Sequence, residues 1–346
     1  MVTMADVAAR AGVSISTVSH VLNQTRPVSE ELTGKVRQAI DDSGYSPNAV
    51  ARSLATSSTK LIGVVMSAAS NPFFGPLFSA VEETARRHGY NLLLTDSHDN
   101  VKLEERQIRV MLDHQIAGMI LAPADTESSP ALDMLQSRNL PVTLVDRFAD
   151  DRFDQVGTEN VAATTELVTH LAALGHQRIG FLKGRGGLST TTERFAGYQA
   201  GLEAAGLRFD RSLVRNGRSL SPPAREATRA LLSLPEPPTA LVSGNNEMTL
   251  GMLRALRDVG LHIPDDIAVV GYDDVEWADL VQPGLTVTAQ QIDVIGHTAV
   301  DLLLARMKKP GAPPRYRYID ASFVHRASCG CPEGASPITP PLSVSA

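Results

Sequence analysis

The spacing of hydrophobic and polar positions changes twice along this chain of 346 residues. Up to Gly44 it is helical, in short pieces. Asp6-Val7-Ala8-Ala9-Arg10-Ala11 reads as an amphipathic helix capped by Thr3. In the stretch from Val13 to Asn23, Val18, Val21 and Leu22 fall at i, i+3 and i+4 and form one apolar stripe. Ile15, Ser16, Ser19 and His20 occupy the opposite face, with no evident intramolecular task. Ser14 stands where an N-cap hydroxyl takes a free backbone N–H. Gly12 supplies the left-handed residue that ends one helix, so that the next leaves at a steep angle. A third helix starts after Ser29, has Glu30 and Glu31 in its first turn to suit the dipole, and ends at Gly44. Val7, Ala8, Val18, Val21, Leu32, Val36 and Ile40 are the expected core of this minimal head. Two helices around a glycine turn, the second exposing polar groups near its start, read as a helix-turn-helix or as an ordinary αα-hairpin.

From Leu61 the pattern alternates. Leu61–Val65, Asn91–Leu94, Gly118–Leu121 and Val142–Val145 are apolar runs of strand length, and Pro76–His88, Lys102–His114 and Ala131–Arg138 between them have helical spacing. The series restarts with strands at Arg178–Leu182, Thr239–Val242 and Ile267–Gly271. Helices are expected near Val161–Leu174, Arg194–Ala205, Arg225–Leu232, Met248–Val259 and Ile292–Met307. Apolar strands with helical crossovers mean doubly wound parallel sheets, here in two α/β lobes with a cleft between them. The second change of pattern comes at residue 331, where a Pro-, Gly- and Ser-rich tail begins. It is expected to be disordered, and it has no leucine heptads to form a tetramerisation helix.

Composition narrows the class. Hydrophobic content of 43% with 20% charged residues suits a globular protein of two or three domains. No apolar run reaches the length of a membrane span, and the N-terminus lacks a secretory pattern; the expected location is the cytoplasm. Charge says little about DNA: up to Lys60 there are six basic residues against five acidic ones, in a chain of net charge −6. Cys329 and Cys331, one residue apart, are spaced too tightly for an ordinary disulfide. With His325 as the only nearby further ligand, the expectation is a reduced, solvent-exposed pair and no metal.

The head carries a resemblance. Asp6-Val7-Ala8, Ala11-Gly12-Val13-Ser14, Thr17-Val18-Ser19 and Val21-Leu22-Asn23, followed by Tyr45-Ser46-Pro47-Asn48-Ala49-Val50-Ala51-Arg52-Ser53-Leu54, closely resemble the lactose-repressor/galactose-repressor family of bacterial transcription regulators. The likeness is dense over the first sixty or so residues and thinner to about Arg326. It implies a small all-α helix-turn-helix head (1–46), a hinge helix and linker (47–60), a two-lobed α/β body like a periplasmic binding protein (61–330) and the tail (331–346). In the body, the chain would cross between lobes three times.

The resemblance also assigns roles. Ile15, Ser16 and His20 would read bases: Ile15 by apolar contact, Ser16 by donating or accepting, His20 against a guanine acceptor or purine N7. Ser14, Thr17, Ser19 and Asn23 suit phosphates or capping. Residues 47–56 are helix-compatible but only about two turns long, too short to be stable alone, so by themselves they fit a plain tether equally well. The family makes them a hinge in the minor groove, with Ala51 and Arg52 in the motif and Leu54 as the wedge between central base pairs. Partners implied are double-stranded operator DNA, a second copy of the chain in a homodimer, and a small-molecule effector. The effector would meet Asn71, Phe73, Phe74, Asp146, Arg147, Arg194, Asn245, Asn246 and Asp273 in the cleft, a set that suits a polyhydroxyl ligand. Arg194 and Asp273 could instead form an inter-lobe salt bridge, and Phe73 could belong to the core.

Two departures bear on the ligand. Asn246 stands where the family often has Asp, and Ser219 where sugar- or purine-binding members commonly have an aromatic residue. Leu188 replaces the Arg of the purine-responsive branch, which favours a carbohydrate. No catalytic residue and no cofactor is expected. A secreted solute-binding protein would have no use for the head. An α/β enzyme would need more than Gly184-Arg185-Gly186-Gly187, which lacks the full nucleotide-loop spacing, or His98 between Asp96 and Asp99.

Overall fold

Thr3 starts the chain's first helix with a reciprocal cap. Its hydroxyl accepts the Asp6 N–H at 3.3 Å, while the Asp6 carboxylate accepts the Thr3 N–H at 2.8 Å. A computed structural model describes residues 2–23, 26–45, 59–127 and 129–331, and the chain divides into two compact units, Met1–Thr59 and Lys60–Ala346. The first unit holds α1 (Met4–Ala11), α2 (Ile15–Asn23) and α3 (Glu30–Ser43). Gly12 is left-handed at φ 65°, Ser14 Oγ accepts the Thr17 N–H at 3.1 Å and Ser29 Oγ accepts that of Leu32 at 3.4 Å. Val7, Ala8, Val18, Val36 and Ala39 are buried together, with Val21, Leu22 and Ile40 packed on them. Leu32 is outside this cluster and half-buried. The buried stripe of α3 runs instead through Val36, Ala39 and Ile40. Nothing in the structure explains Gly34, whose added Cβ would meet no atom within 4 Å. The expected hinge residues Ala51, Arg52 and Leu54, the side chain of Asn23 and the tail beyond Cys331 lie outside the described residues.

In the second unit two six-stranded sheets repeat one plan. The first lobe builds β1 (Leu61–Met66), α4 (Phe74–Arg87), β2 (Asn91–Asp96), α5 (Val101–Asp113), β3 (Gly118–Leu121), α6 (Pro130–Ser137), β4 (Val142–Val145) and β5 (Asp154–Thr158). The chain then enters the second lobe with α7 (Asn160–Ala173), β6 (Ile179–Lys183), α8 (Ser189–Ala204), β7 (Val214–Asn216), α9 (Ser221–Leu232), β8 (Ala240–Ser243), α10 (Asn246–Val259), β9 (Ala268–Tyr272) and β10 (Thr286–Ala289). It returns to the first lobe for α11 (Ile292–Lys308) and β11 (Tyr316–Ile319), and crosses back for β12 (Ser322–Val324). The strand orders are β11-β5-β4-β3-β1-β2 and β12-β10-β9-β8-β6-β7. Every pair is parallel except β10 with β12. The three crossings lie side by side: the Thr158 hydroxyl donates to Gln290 Oε1, Glu159 N–H to the Ile319 carbonyl at 3.0 Å, and Gln291 Nε2 to the Asp320 carbonyl at 2.8 Å.

Several elements differ from the apolar pattern. β5 and β10 are inner strands although they carry Asp154, Gln155, Thr158, Thr286 and Thr288, all buried. Asp154 is tolerated because Arg306 closes on both its oxygens, at 2.8 and 3.0 Å. The helix expected from Arg194 begins at Ser189. The cysteines correct a second expectation. Cys329 and Cys331 are buried in the second lobe, not exposed, because the Ser328 hydroxyl pins their segment by donating to the Val269 carbonyl at 2.6 Å and accepting the Thr286 N–H at 2.8 Å. Among the described residues no helix is long and apolar enough to cross a membrane.

Candidate functional site

The ends of β1, β4, β8 and β9 open onto a cleft between the two lobes of the second unit, with a cavity of about 190 Å³. Asn71, Phe73, Phe74, Asp146, Arg147, Arg194, Asn245 and Asp273 all line it. Asp146 and Asp273 occupy corresponding places. Each follows a strand in left-handed backbone, at φ 69° and 78°, and each N–H donates to the adjacent strand, at Val156 O (3.0 Å) and Thr288 O (2.8 Å). Burial pushes the Asp146 carboxyl up from its ordinary value, against the pull of Arg147 and Arg194. The Asp273 carboxylate accepts the Asn246 N–H at 3.2 Å and Gln290 Nε2 at 2.6 Å.

Arg194 projects from α8 and is buried. Its Nε donates to Asn160 Oδ1 and its Nη1 to the Gly244 carbonyl, both at 2.8 Å, and its guanidinium lies 3.7 Å from the Tyr272 ring centre. Tyr272 in turn donates to the same Asn160 oxygen at 2.8 Å. Arg194 Nε and Nη1 are thus fixed, and the side chain lines the cavity. The inter-lobe bridge of Arg194 with Asp273 does not form, since both belong to the second lobe. Arg147 is held within the first lobe by Asp99 at 2.6 Å and the Pro123 carbonyl at 2.7 Å. Phe73 takes both expected places: it is core, edge-on to Phe74, and it lines the cleft.

Asn246 is the exception to the ligand set. It does not line the cavity. Its Nδ2 donates to Asn71 Oδ1 at 2.7 Å and its Oδ1 accepts Asn71 Nδ2 at 3.1 Å, an amide pair joining the lobes. The glycine-rich stretch joins them as well. Gly187 carbonyl accepts both the Thr126 N–H (2.7 Å) and hydroxyl (3.0 Å), and Arg185 donates to the Ala124 carbonyl. Gly187 is left-handed at φ 79°, a backbone conformation that favours glycine. Sequence reasoning missed Asp99, Thr190, Thr191, Glu247 and Gln290, which also line the cleft. No local signal marks Asp99 and Gln290, because their partners Arg147 and Thr158 stand 48 and 132 residues away. Leu188 lines the cavity as an apolar wall, and Ser219 accepts the Arg185 N–H at 3.0 Å.

In the first unit the expected base-reading face of α2 is presented to solvent. Ile15 is 52% exposed and Ser16 is exposed. Thr17, Ser19 and His20 are half-buried. Ser14 Oγ lies 2.7 Å from Ser16 Oγ and 2.9 Å from Thr17 Oγ1, so it acts as a cap within a small hydroxyl cluster.

Residues 3–48 match the family model described as bacterial regulatory proteins, lacI family, and residues 59–327 match that of periplasmic binding proteins and sugar binding domain of LacI family. The chain is 35% identical over 311 residues to the ribose operon repressor of Escherichia coli (strain K12), covering 90% of this chain and 94% of that one. It is 32% identical over 330 residues to the HTH-type transcriptional repressor PurR of Photobacterium profundum, covering 95% and 98%. Among solved structures, the Lac repressor dimer bound to operator and the anti-inducer ONPF aligns with a TM-score of 0.85 at 29% identity, covering 95% of this chain and 99% of that one. The transcriptional regulator CelR–cellobiose complex aligns at 0.73 with 27% identity, covering 95% and 100%.

Proposed function

The chain belongs to the LacI family of bacterial regulatory proteins, and from that premise we propose that it is a repressor binding a near-palindromic operator as a homodimer and answering to a small carbohydrate. Residues 1–46 are the DNA-binding head, 47–60 the hinge, 61–330 the effector-binding and dimerisation body and 331–346 the tail. In the head, Ile15, Ser16 and His20 read base edges in the major groove, while Ser14, Thr17, Ser19 and Asn23 serve phosphates. Ala51, Arg52 and Leu54 act in the minor groove, the Leu54 pair as the wedge at the operator centre. The protein works in the cytoplasm, as a regulator and not an enzyme.

The observation that carries the ligand class is the cleft's polar set. Asp146 and Asp273 come from matching strand ends of opposite lobes, with buried Arg194 beside them and Phe73 and Phe74 at one wall. Carboxylates accept paired hydroxyls, the guanidinium holds a ligand oxygen, and a ring covers apolar C–H groups. A cavity of about 190 Å³ is smaller than the roughly 300–1,000 Å³ used for drug-sized ligands, which favours one sugar ring. Leu188 in its lining offers no charge to a nucleobase. Ligand seated between the lobes biases their angle, and with it the spacing of the two hinges in the dimer.

The test is a thermal-shift and calorimetric survey of pentoses, hexoses and nucleobases, followed by binding to DNA selected from a random pool, with and without the ligand found. A monosaccharide that stabilises the protein and changes its DNA affinity is the expected result. Arg194→Gln should abolish the response, and Leu54→Ala should weaken operator binding. A nucleobase as the ligand, or a normal sugar response in Arg194→Gln, would overturn the assignment of the cleft.

A further inference from the structure

Away from the cleft, the described residues hold a cluster of metal-ligating side chains: His170, His325, Cys329 and Cys331, whose ligand atoms all lie within 4.8 Å of one another. Three segments supply it. His170 stands in the last turn of α7, His325 directly follows β12, and Cys329 ends a single 3₁₀ turn, Ala327–Cys329. Gly330, left-handed at φ 92°, reverses the chain so that Cys331 rejoins the group. His170, Cys329 and Cys331 are buried and His325 is half-buried.

Size and donor chemistry agree. Zinc bonds of about 2.3 Å to sulfur and 2.0–2.1 Å to nitrogen make a tetrahedron with edges of roughly 3.3–3.8 Å. His325 Nε2 is 3.5 Å from Cys329 Sγ, and His170 Nε2 is 3.8 Å from Cys331 Sγ, already the length of such edges. We propose that these four side chains bind one zinc ion in a closed Cys2His2 site. Two thiolates and two neutral imidazoles cancel the ion's charge, which is what a buried site requires. The thiols give up two protons on binding; one is the proton that Cys329 Sγ now directs at the Arg326 carbonyl, 3.4 Å away. The Thr286 hydroxyl, 3.3 Å from Cys329 Sγ, is placed to donate to the thiolate formed there. With no ligand position open, the ion is structural. It ties the chain's last described segment to α7, the helix with which the chain first enters the second lobe.

The experiment uses the full chain, reduced and reconstituted with Zn²⁺ or Co²⁺. One metal ion per chain is expected. The cobalt form should show the intense visible bands of a tetrahedral site and a thiolate-to-cobalt charge-transfer band. Cys331→Ser and His170→Gln should each lose the bands, and chelation should lower the thermal midpoint. His325→Gln carries the same test with a half-exposed side chain, should either buried variant fail to fold. A folded, reduced parent that takes up no tetrahedral cobalt would overturn the proposal. So would a Cys331→Ser protein that keeps the bands, or a Cys329–Cys331 disulfide whose reduction restores no uptake.

Discussion

Glu104, in the first turn of α5, is fully removed from solvent. Its Oε2 accepts the Ala124 N–H at 2.6 Å and its Oε1 the Ser129 hydroxyl at 3.3 Å. Burial outweighs these bonds and the field of Arg147, and pushes the carboxyl up to about 7. The folded chain therefore holds this proton more tightly than the unfolded one. The contribution is whole below the unfolded value of 4.5 and is lost as pH rises through about 7, on the order of 3 kcal/mol in all. Glu104→Gln keeps an acceptor for Ala124 and removes the titration. Its urea midpoint should fall less than the parent's from about pH 5 to 8 and exceed the parent's at the upper end. A parent-like slope in the variant would contradict this.

Among the elements, α7 and α8 show how close packing is encoded. A Cβ on Gly197 would lie 2.4 Å from the Val161 carbonyl oxygen, and one on Gly201 would lie 2.6 Å from Val168 Cβ. The first obstacle is backbone, so the helices must separate. Gly197→Ala should cost about 1–3 kcal/mol, although alanine is the better helix former; denaturant midpoints at constant slope give the value, and a neutral or stabilising change would mean that the pair can part freely. The strands divide by a related logic. β1, β3, β4, β6, β8 and β9 are legible as apolar runs because both their faces are covered. β5 and β10 are just as buried but polar, because Arg306 answers Asp154, Gln290 answers Thr158, and the Ala163 carbonyl accepts from Thr288 at 3.4 Å. β11 is mostly exposed and β7 spans only Val214–Asn216, so neither carries an apolar run to read.

Across the body, the polar links between the lobes among the described residues include the Asn71–Asn246 pair, Thr126 with Gly187, and Arg185 with Ala124 and Asp99. A ligand seated between the lobes shifts the balance between their positions only as far as its own differential contacts allow, a few kcal/mol. Asn246→Ala removes both bonds of the amide pair, each worth about 0.5–1.5 kcal/mol. Effector affinity should fall by roughly 5- to 100-fold without loss of any group lining the cavity. Calorimetry with the ligand found for the parent checks this. An unchanged affinity would mean that the pair does not govern closure.

The sequence by itself determined the helices of the head, their caps and the central strands of both lobes, and the family resemblance pointed to eight of the residues that line the cleft. Caps and stripes are short-range: Thr3 with Asp6, Ser14 with Thr17, and Val18 with Val21 and Leu22 are complete within a turn. The motif Val13-Ser14 through Leu22-Asn23 added what periodicity alone leaves open, the choice between a hairpin and a DNA-reading head. The tertiary structure alone decided which polar groups lie inside and what they face. Asn246 meets Asn71 across 175 residues, Arg306 reaches Asp154 across 152, and Cys331 comes to His170 across 161. Burial of a polar side chain is permitted by its partner, and a partner so distant leaves no mark in the local pattern.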